Sequence, residues 1–123
     1  MKTPCELVYN YILPNIRALI AREAIEKGMK QRNVAKRLGL TEAAISQYLK
    51  GKRAIKLKKL KLRKVEKMIE NLVNKMLNEK ISDVDIAKHI CEICLLLRSS
   101  LILCKLHKKV EPKLRNLNCS ICK

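Results

Sequence analysis

From Gln31 to Arg53 the chain reads QRNVAKRLGLTEAAISQYLKGKR. Two short helices packed at a steep angle need apolar side chains at fixed places and a very small residue where they nearly touch. With Gln31 counted as position one, Val34, Leu38, Leu40, Ile45 and Tyr48 fall at positions four, eight, ten, fifteen and eighteen, and Ala35 is the small residue of the close approach. Gly39 occupies the sharp turn, where a positive φ costs least. Thr41 is placed to cap the second helix. The spacing predicts a helix-turn-helix. An ordinary helical hairpin with a glycine turn is the plainer alternative, but it does not demand that every one of these positions match.

Upstream, Thr3-Pro4-Cys5-Glu6 reads as a helix start. Thr3 can cap, Pro4 suits the first helical position and Glu6 completes a capping box. Leu7, Tyr11 and Val8 are expected to face inward, and Pro14 to end or kink the segment. Asn15 then leads into a second helical pattern, with Ile16, Leu19, Ile20 and Ala24 on its inner face and Gly28 as its stop.

Composition agrees with a helical reading. The 123 residues include three Gly, three Pro, three Tyr and no Trp or Phe, so the core is aliphatic and a turn-rich β-sandwich is disfavoured. Lys and Arg total 28 against 11 for Asp and Glu, a net charge of +17. Residues 29–67 carry fourteen basic and two acidic side chains, so +12 of that surplus lies in under a third of the chain. A surplus of this size points to a polyanion, nucleic acid or an anionic membrane. A charge run can also be only a solvated face, but this one overlaps the helix-turn-helix pattern.

The segment resembles the DNA-binding domain of the phage-repressor and Cro type, the XRE family. The opening glutamine, V-A-x-x-L-G-L and the ending S-Q-Y-L-x-G-K-R carry the likeness, which covers residues 15–55. In that family the second helix lies in the major groove of duplex DNA. The resemblance therefore implies that Thr41, Glu42, Ala43, Ser46, Gln47 and Lys50 face the groove. Gln47 can pair with adenine, Glu42 can accept from cytosine, and Ala43 can meet a thymine methyl. Gln31, Lys50, Lys52 and Arg53 are expected to hold phosphates, which sets register without reading sequence.

Residues 56–79, KLKKLKLRKVEKMIENLVNKMLNE, form a long amphipathic pattern. Leu57, Leu60, Val65, Met68, Ile69, Leu72, Val73 and Met76 share one broad face. That face either closes the DNA-binding domain's core or pairs with its counterpart in a homodimer, as half-sites about 34 Å apart in a palindromic operator require. A membrane-surface role is disfavoured, since the helix carries no aromatic anchor.

Ser82-Asp83-Val84-Asp85 begins another predicted helix running through Ile86, Ile90, Ile93 and Leu97. From it onward the cysteines form C-x2-C-x9-C-x14-C-x2-C: Cys91, Cys94, Cys104, Cys119 and Cys122. A two-residue spacer lets paired sulfurs converge on one ion, while distant pairs supply the remaining ligands. Zinc would take four ligands, most simply Cys91, Cys94, Cys119 and Cys122, with Cys104 and His107 as substitutes; an iron–sulfur cluster would take four of the five thiolates and is slightly favoured, as a sensor fused to a DNA-binding domain. Buried or incidental thiols are the alternative. Lys105, Lys108 and Lys109 are expected to favour thiolates. Cys5 stands apart as a core or helix thiol, and His89 and His107 read as surface or supporting groups rather than ligands.

The start shows no signal-peptide pattern, and the longest apolar run near the end, Ile93–Leu97, falls far short of the roughly 20 residues of a membrane span. A cytoplasmic location follows, and its reducing conditions favour metal over disulfides. As a whole the layout is similar to archaeal predicted transcriptional regulators with an XRE-type helix-turn-helix and a cysteine-rich C-terminal part; M-K-T-P-C-E-L-V and C-E-I-C…C-K-L-H…C-S-I-C carry that likeness.

The expected protein is all-α. Residues 1–55 form a phage-repressor-like helix-turn-helix domain, 56–80 a linking or dimerisation helix, and 81–123 a small helical cysteine-rich metal-binding region. Its expected function is that of a sequence-specific, dimeric transcriptional regulator of double-stranded DNA that senses redox or metal state. A nucleic-acid-binding protein with a purely structural zinc is the alternative. Single-stranded RNA readers need stacking aromatics that are nearly missing, and no phosphate-binding loop or nucleophile–base pair supports an enzyme.

Overall fold

The computed structural model describes residues 2–50, 63–78, 81–99, 102–117 and 119. Among them there is no strand, and the fold is all-α: an N-terminal helix-turn-helix domain followed by further helices. The elements are α1 (Pro4–Leu7), α2 (Leu13–Glu26), α3 (Gln31–Leu38), α4 (Glu42–Leu49), α5 (Arg63–Asn78), α6 (Asp83–Ser99) and α7 (Ile102–Val110), with a 3-10 turn at Pro112–Asn116.

α1 starts as its sequence requires. The Thr3 hydroxyl accepts from the Glu6 N–H at 3.4 Å, and Pro4 opens the first turn. The chain does not stop at Pro14. Val8–Ile12 is a π-helical stretch, in which the Leu13 N–H reaches the Val8 carbonyl, and α2 continues through the proline. Proline lacks an N–H and its ring crowds the carbonyl four residues back. Widening the turn ahead of it relieves that clash without ending the helix. Asn15, buried at this point, donates its side-chain amide to the Tyr11 carbonyl.

Two glycines close their helices in the same way. Gly28 has φ 100° and Gly39 φ 66°. At the end of α2, Met29 N–H bonds Ala24 O at 3.0 Å and Gly28 N–H bonds Ile25 O at 3.0 Å. At the end of α3, Leu40 N–H bonds Ala35 O at 2.8 Å and Gly39 N–H bonds Lys36 O at 3.3 Å. Both are Schellman motifs, in which a left-handed residue turns the chain back onto the helix's last carbonyls. Met29 and Leu40 follow these glycines and pack against the core.

α2 is the pillar. It touches α3, α4, α5 and α6, and Ile16, Ala18, Ile20, Ala21 and Ala24 are all buried. Leu19, expected inside, is 41 % exposed. It falls outside the face formed by Ile16, Ile20 and Ala24, which neighbouring helices fully occupy. α5 lays Val65, Ile69, Leu72 and Val73 into the same core, with Met68 and Met76 at its margin. Its apolar face is therefore used within the chain, which leaves no such face of residues 63–78 for the dimer contact considered above. Leu57 and Leu60 lie outside the described residues. Fully burying a side chain such as Leu72 contributes about 2–3 kcal/mol. Lys27 reinforces this junction, with Nζ 2.7 Å from Asn74 Oδ1, 3.2 Å from Glu23 and 3.8 Å from Glu70.

α6 and α7 pack on each other, and α7 also meets α1. Buried His107 lies with Nε2 2.7 Å from the Lys2 carbonyl. A carbonyl only accepts, so that nitrogen carries the proton. The Lys2 N–H donates to Glu111 Oε1 at 3.1 Å, and the Lys2 ammonium stands 5.9 Å from the Tyr11 ring centre.

Candidate nucleic-acid interface

The second helix of the motif is held by its ends. At the start of α4, Thr41 has extended backbone and its hydroxyl accepts from the Ala44 N–H at 3.1 Å. At its end, Arg22 of α2 donates to the Tyr48 carbonyl at 3.0 Å. That carbonyl belongs to the last turn, where a helix presents unsatisfied acceptors and negative partial charge. Ala44, Ile45 and Tyr48 are buried beneath, and Val34 and Ala35 meet them from α3.

Gln31 sets the relation between the two helices. Its Nε2 donates to the Glu42 carbonyl at 3.0 Å and to the Ser46 hydroxyl at 2.5 Å. These bonds employ both amide hydrogens, so the side chain acts as a clamp between α3 and α4. Ser46 is half-buried at that clamp.

The remaining expected contacts face outward. Thr41, Glu42, Ala43 and Lys50 are exposed, and Gln47 is half-buried. Lys30, Arg32 and Lys36 of the α3 region are exposed as well. Lys52 and Arg53 lie outside the described residues. The outer face of α4 thus offers a carboxylate, an amide, a methyl and an ammonium, beside a field of basic side chains. A helix face with this mixture can meet base edges while its flanks meet phosphates. The positioning role of Arg22 was missed in the sequence, because residue type and spacing do not show which basic side chains bond within the fold.

A helix-turn-helix family model matches residues 20–62. The match begins inside α2 and runs past α4. No curated protein and no solved structure matches the chain. No described helix is long and apolar enough to cross a membrane.

The described cysteines lie on α1, α6, α7 and near the C-terminal end of the described chain. Among the described residues no group of three or more His, Cys, Asp and Glu side chains is arranged to hold a metal ion. Cys91 is exposed; Cys94, Cys104 and Cys119 are half-buried; Cys122 lies outside the described residues. Burial pushes the Cys94 thiol up, Cys91 beside it adds to the effect, Arg98 opposes it and Cys5 contributes a smaller rise. At Cys94, then, desolvation outweighs the expected pull of nearby cations toward thiolate. Cys5 is an exposed thiol of α1 that the fold brings within electrostatic reach of Cys94, a proximity that 88 intervening positions hide in the sequence.

Proposed function

We propose that this protein is a sequence-specific, double-stranded-DNA-binding transcriptional regulator, non-enzymatic and homodimeric. One observation carries the reading: the exposed face of α4, with Thr41, Glu42, Ala43, Gln47 and Lys50, is fixed against α3 by the Gln31 clamp and capped at both ends. A rigid mount is what base-edge recognition needs, since a bidentate contact tolerates little misplacement. The net charge of +17 supplies the attraction to phosphates.

Electrophoretic shift with duplexes selected from a random pool tests it. Selected duplexes bind more tightly than random ones, by on the order of 1,000-fold or more. Equal affinity for both would overturn the specificity, and equal binding of RNA would point to a general nucleic-acid protein.

The proposed sensing role rests on the spacing of Cys91, Cys94, Cys104, Cys119 and Cys122 alone. Anaerobically purified protein that is brown and contains iron and sulfide supports the cluster. Colourless protein with one zinc supports a structural knot, and metal-free protein removes the metal from the reading.

A further inference from the structure

α6 carries an apolar stripe that nothing among the described residues covers. Val84 is 76 % exposed and Leu95 64 %, and Ala87 and Cys91 between them are exposed too. Positions 84, 87, 91 and 95 follow three- and four-residue steps, so they line one face over about three turns. The opposite face, with Ile86, Ile93 and Leu97, is the buried one. An exposed line of this kind marks a contact surface.

Charge says what kind of partner fits. Residues 83–99 hold Asp83, Asp85 and Glu92 against Lys88 and Arg98, net −1, in a chain of net +17. Two copies of so basic a protein repel each other over most of their surface. On α6 that repulsion is absent. Lys88 and Glu92 flank the stripe on one side, both exposed. Lysine four residues before glutamate is the poorer order for a pair within one helix, so both remain available to a second copy.

We propose that α6 pairs antiparallel with α6 of a second copy of this chain, about a two-fold axis passing beside Cys91. This rests on the homodimeric reading above and assigns its surface. The operation is isologous, so each patch must complement itself. Rotation about position 91 carries 95 onto 87 and 98 onto 84. Leu95 therefore meets Ala87 of the second copy, and Arg98 falls beside the Asp83–Asp85 turn. Lys88 of one copy lies about two residues, or about 3 Å, along the axis from Glu92 of the other, which its long side chain spans. The two flanks thus make the same ion pair twice, and the two Cys91 thiols face each other across the axis.

Sedimentation of the full-length protein and of surface variants tests the pairing. Val84 and Leu95 are exposed, so Leu95→Glu leaves helical content intact while weakening the dimer by about 100-fold. Lys88→Glu also weakens it, and adding Glu92→Lys restores it. A short bismaleimide, joining one thiol to another, links two wild-type chains; Cys91→Ser abolishes that link. A wild-type protein that stays monomeric at high concentration overturns both this pairing and the homodimeric reading. A dimer unaffected by Leu95→Glu, or a link that survives Cys91→Ser undiminished, overturns only the α6 surface and leaves the homodimer to another face.

Discussion

The guanidinium of Arg37, on the last turn of α3, donates to the main-chain carbonyl of Ile81 across 2.6 Å. A second nitrogen lies 3.4 Å from Asp83. One side chain thus fastens the helix-turn-helix to the entrance of α6. The ion pair contributes little, since the Asp83 side chain is 83 % exposed. The charged bond to the half-sheltered carbonyl contributes more. Arg37→Ala is expected to lower stability by about 1–2 kcal/mol in urea denaturation. An unchanged midpoint would show that the junction holds without it.

At Gly28 and Gly39 an added Cβ meets nothing within 4 Å. The cost of a side chain there lies wholly in the positive φ. Gly28→Ala and Gly39→Ala should each destabilise by about 1–2 kcal/mol, and Asn at either place should cost less. Thermal melts check this; a neutral alanine would mean the turn can relax out of the left-handed region.

Thr41→Ala loses the bond to Ala44 and should cost about 1 kcal/mol of stability, while Thr41→Ser should cost far less. Equal losses for the two variants in calorimetry would assign the effect to the methyl group instead.

Ser82 and Asp85 form a capping box at the start of α6. The Ser82 hydroxyl donates to Asp85 Oδ2 at 2.9 Å, Ser82 N–H donates to the same oxygen at 3.2 Å, and Asp85 N–H returns a bond to Ser82 Oγ at 3.2 Å. The Ser82 hydroxyl, then the Ser82 N–H, hold this carboxyl below its ordinary value of 3.8. A group lowered on folding contributes stability in full above that ordinary value and loses it as pH falls through the folded one. Acid titration of stability should therefore be shallower below pH 3.8 in Asp85→Asn than in wild type. Parallel curves would show that the box does not survive in solution.

On DNA, the α4 side chains should divide by role. Gln47→Ala is expected to relax discrimination at one base pair by about 1–3 kcal/mol. Lys50→Ala should weaken all duplexes alike and reduce the salt slope by about one. If both variants lose affinity without regard to sequence, α4 is a phosphate-binding element only.

Much of the fold was legible locally. The Thr3 and Thr41 caps, the stops at Gly28 and Gly39 and the buried Val34, Ala35, Ile45 and Tyr48 each follow from residue type and spacing. What was not legible depends on tertiary partners. Pro14 reads as a breaker because its sequence neighbours do not reveal that a π turn can absorb it. Leu19 reads as core because periodicity marks a stripe without saying how wide its cover is. The same limit applies to the site: the family resemblance pointed to the exposed residues of α4, but the hold on Ser46 by the Gln31 clamp and the Arg22 cap appear only once α2, α3 and α4 are assembled.

The pillar position of α2 has a consequence for how the molecule comes apart. The helix that backs the helix-turn-helix pair is the same one that α5 and α6 lean on, so neither portion can melt without stripping the other's support. Heating should yield a single cooperative transition, and a fragment cut after Lys50 should behave as a collapsed, loosely packed chain.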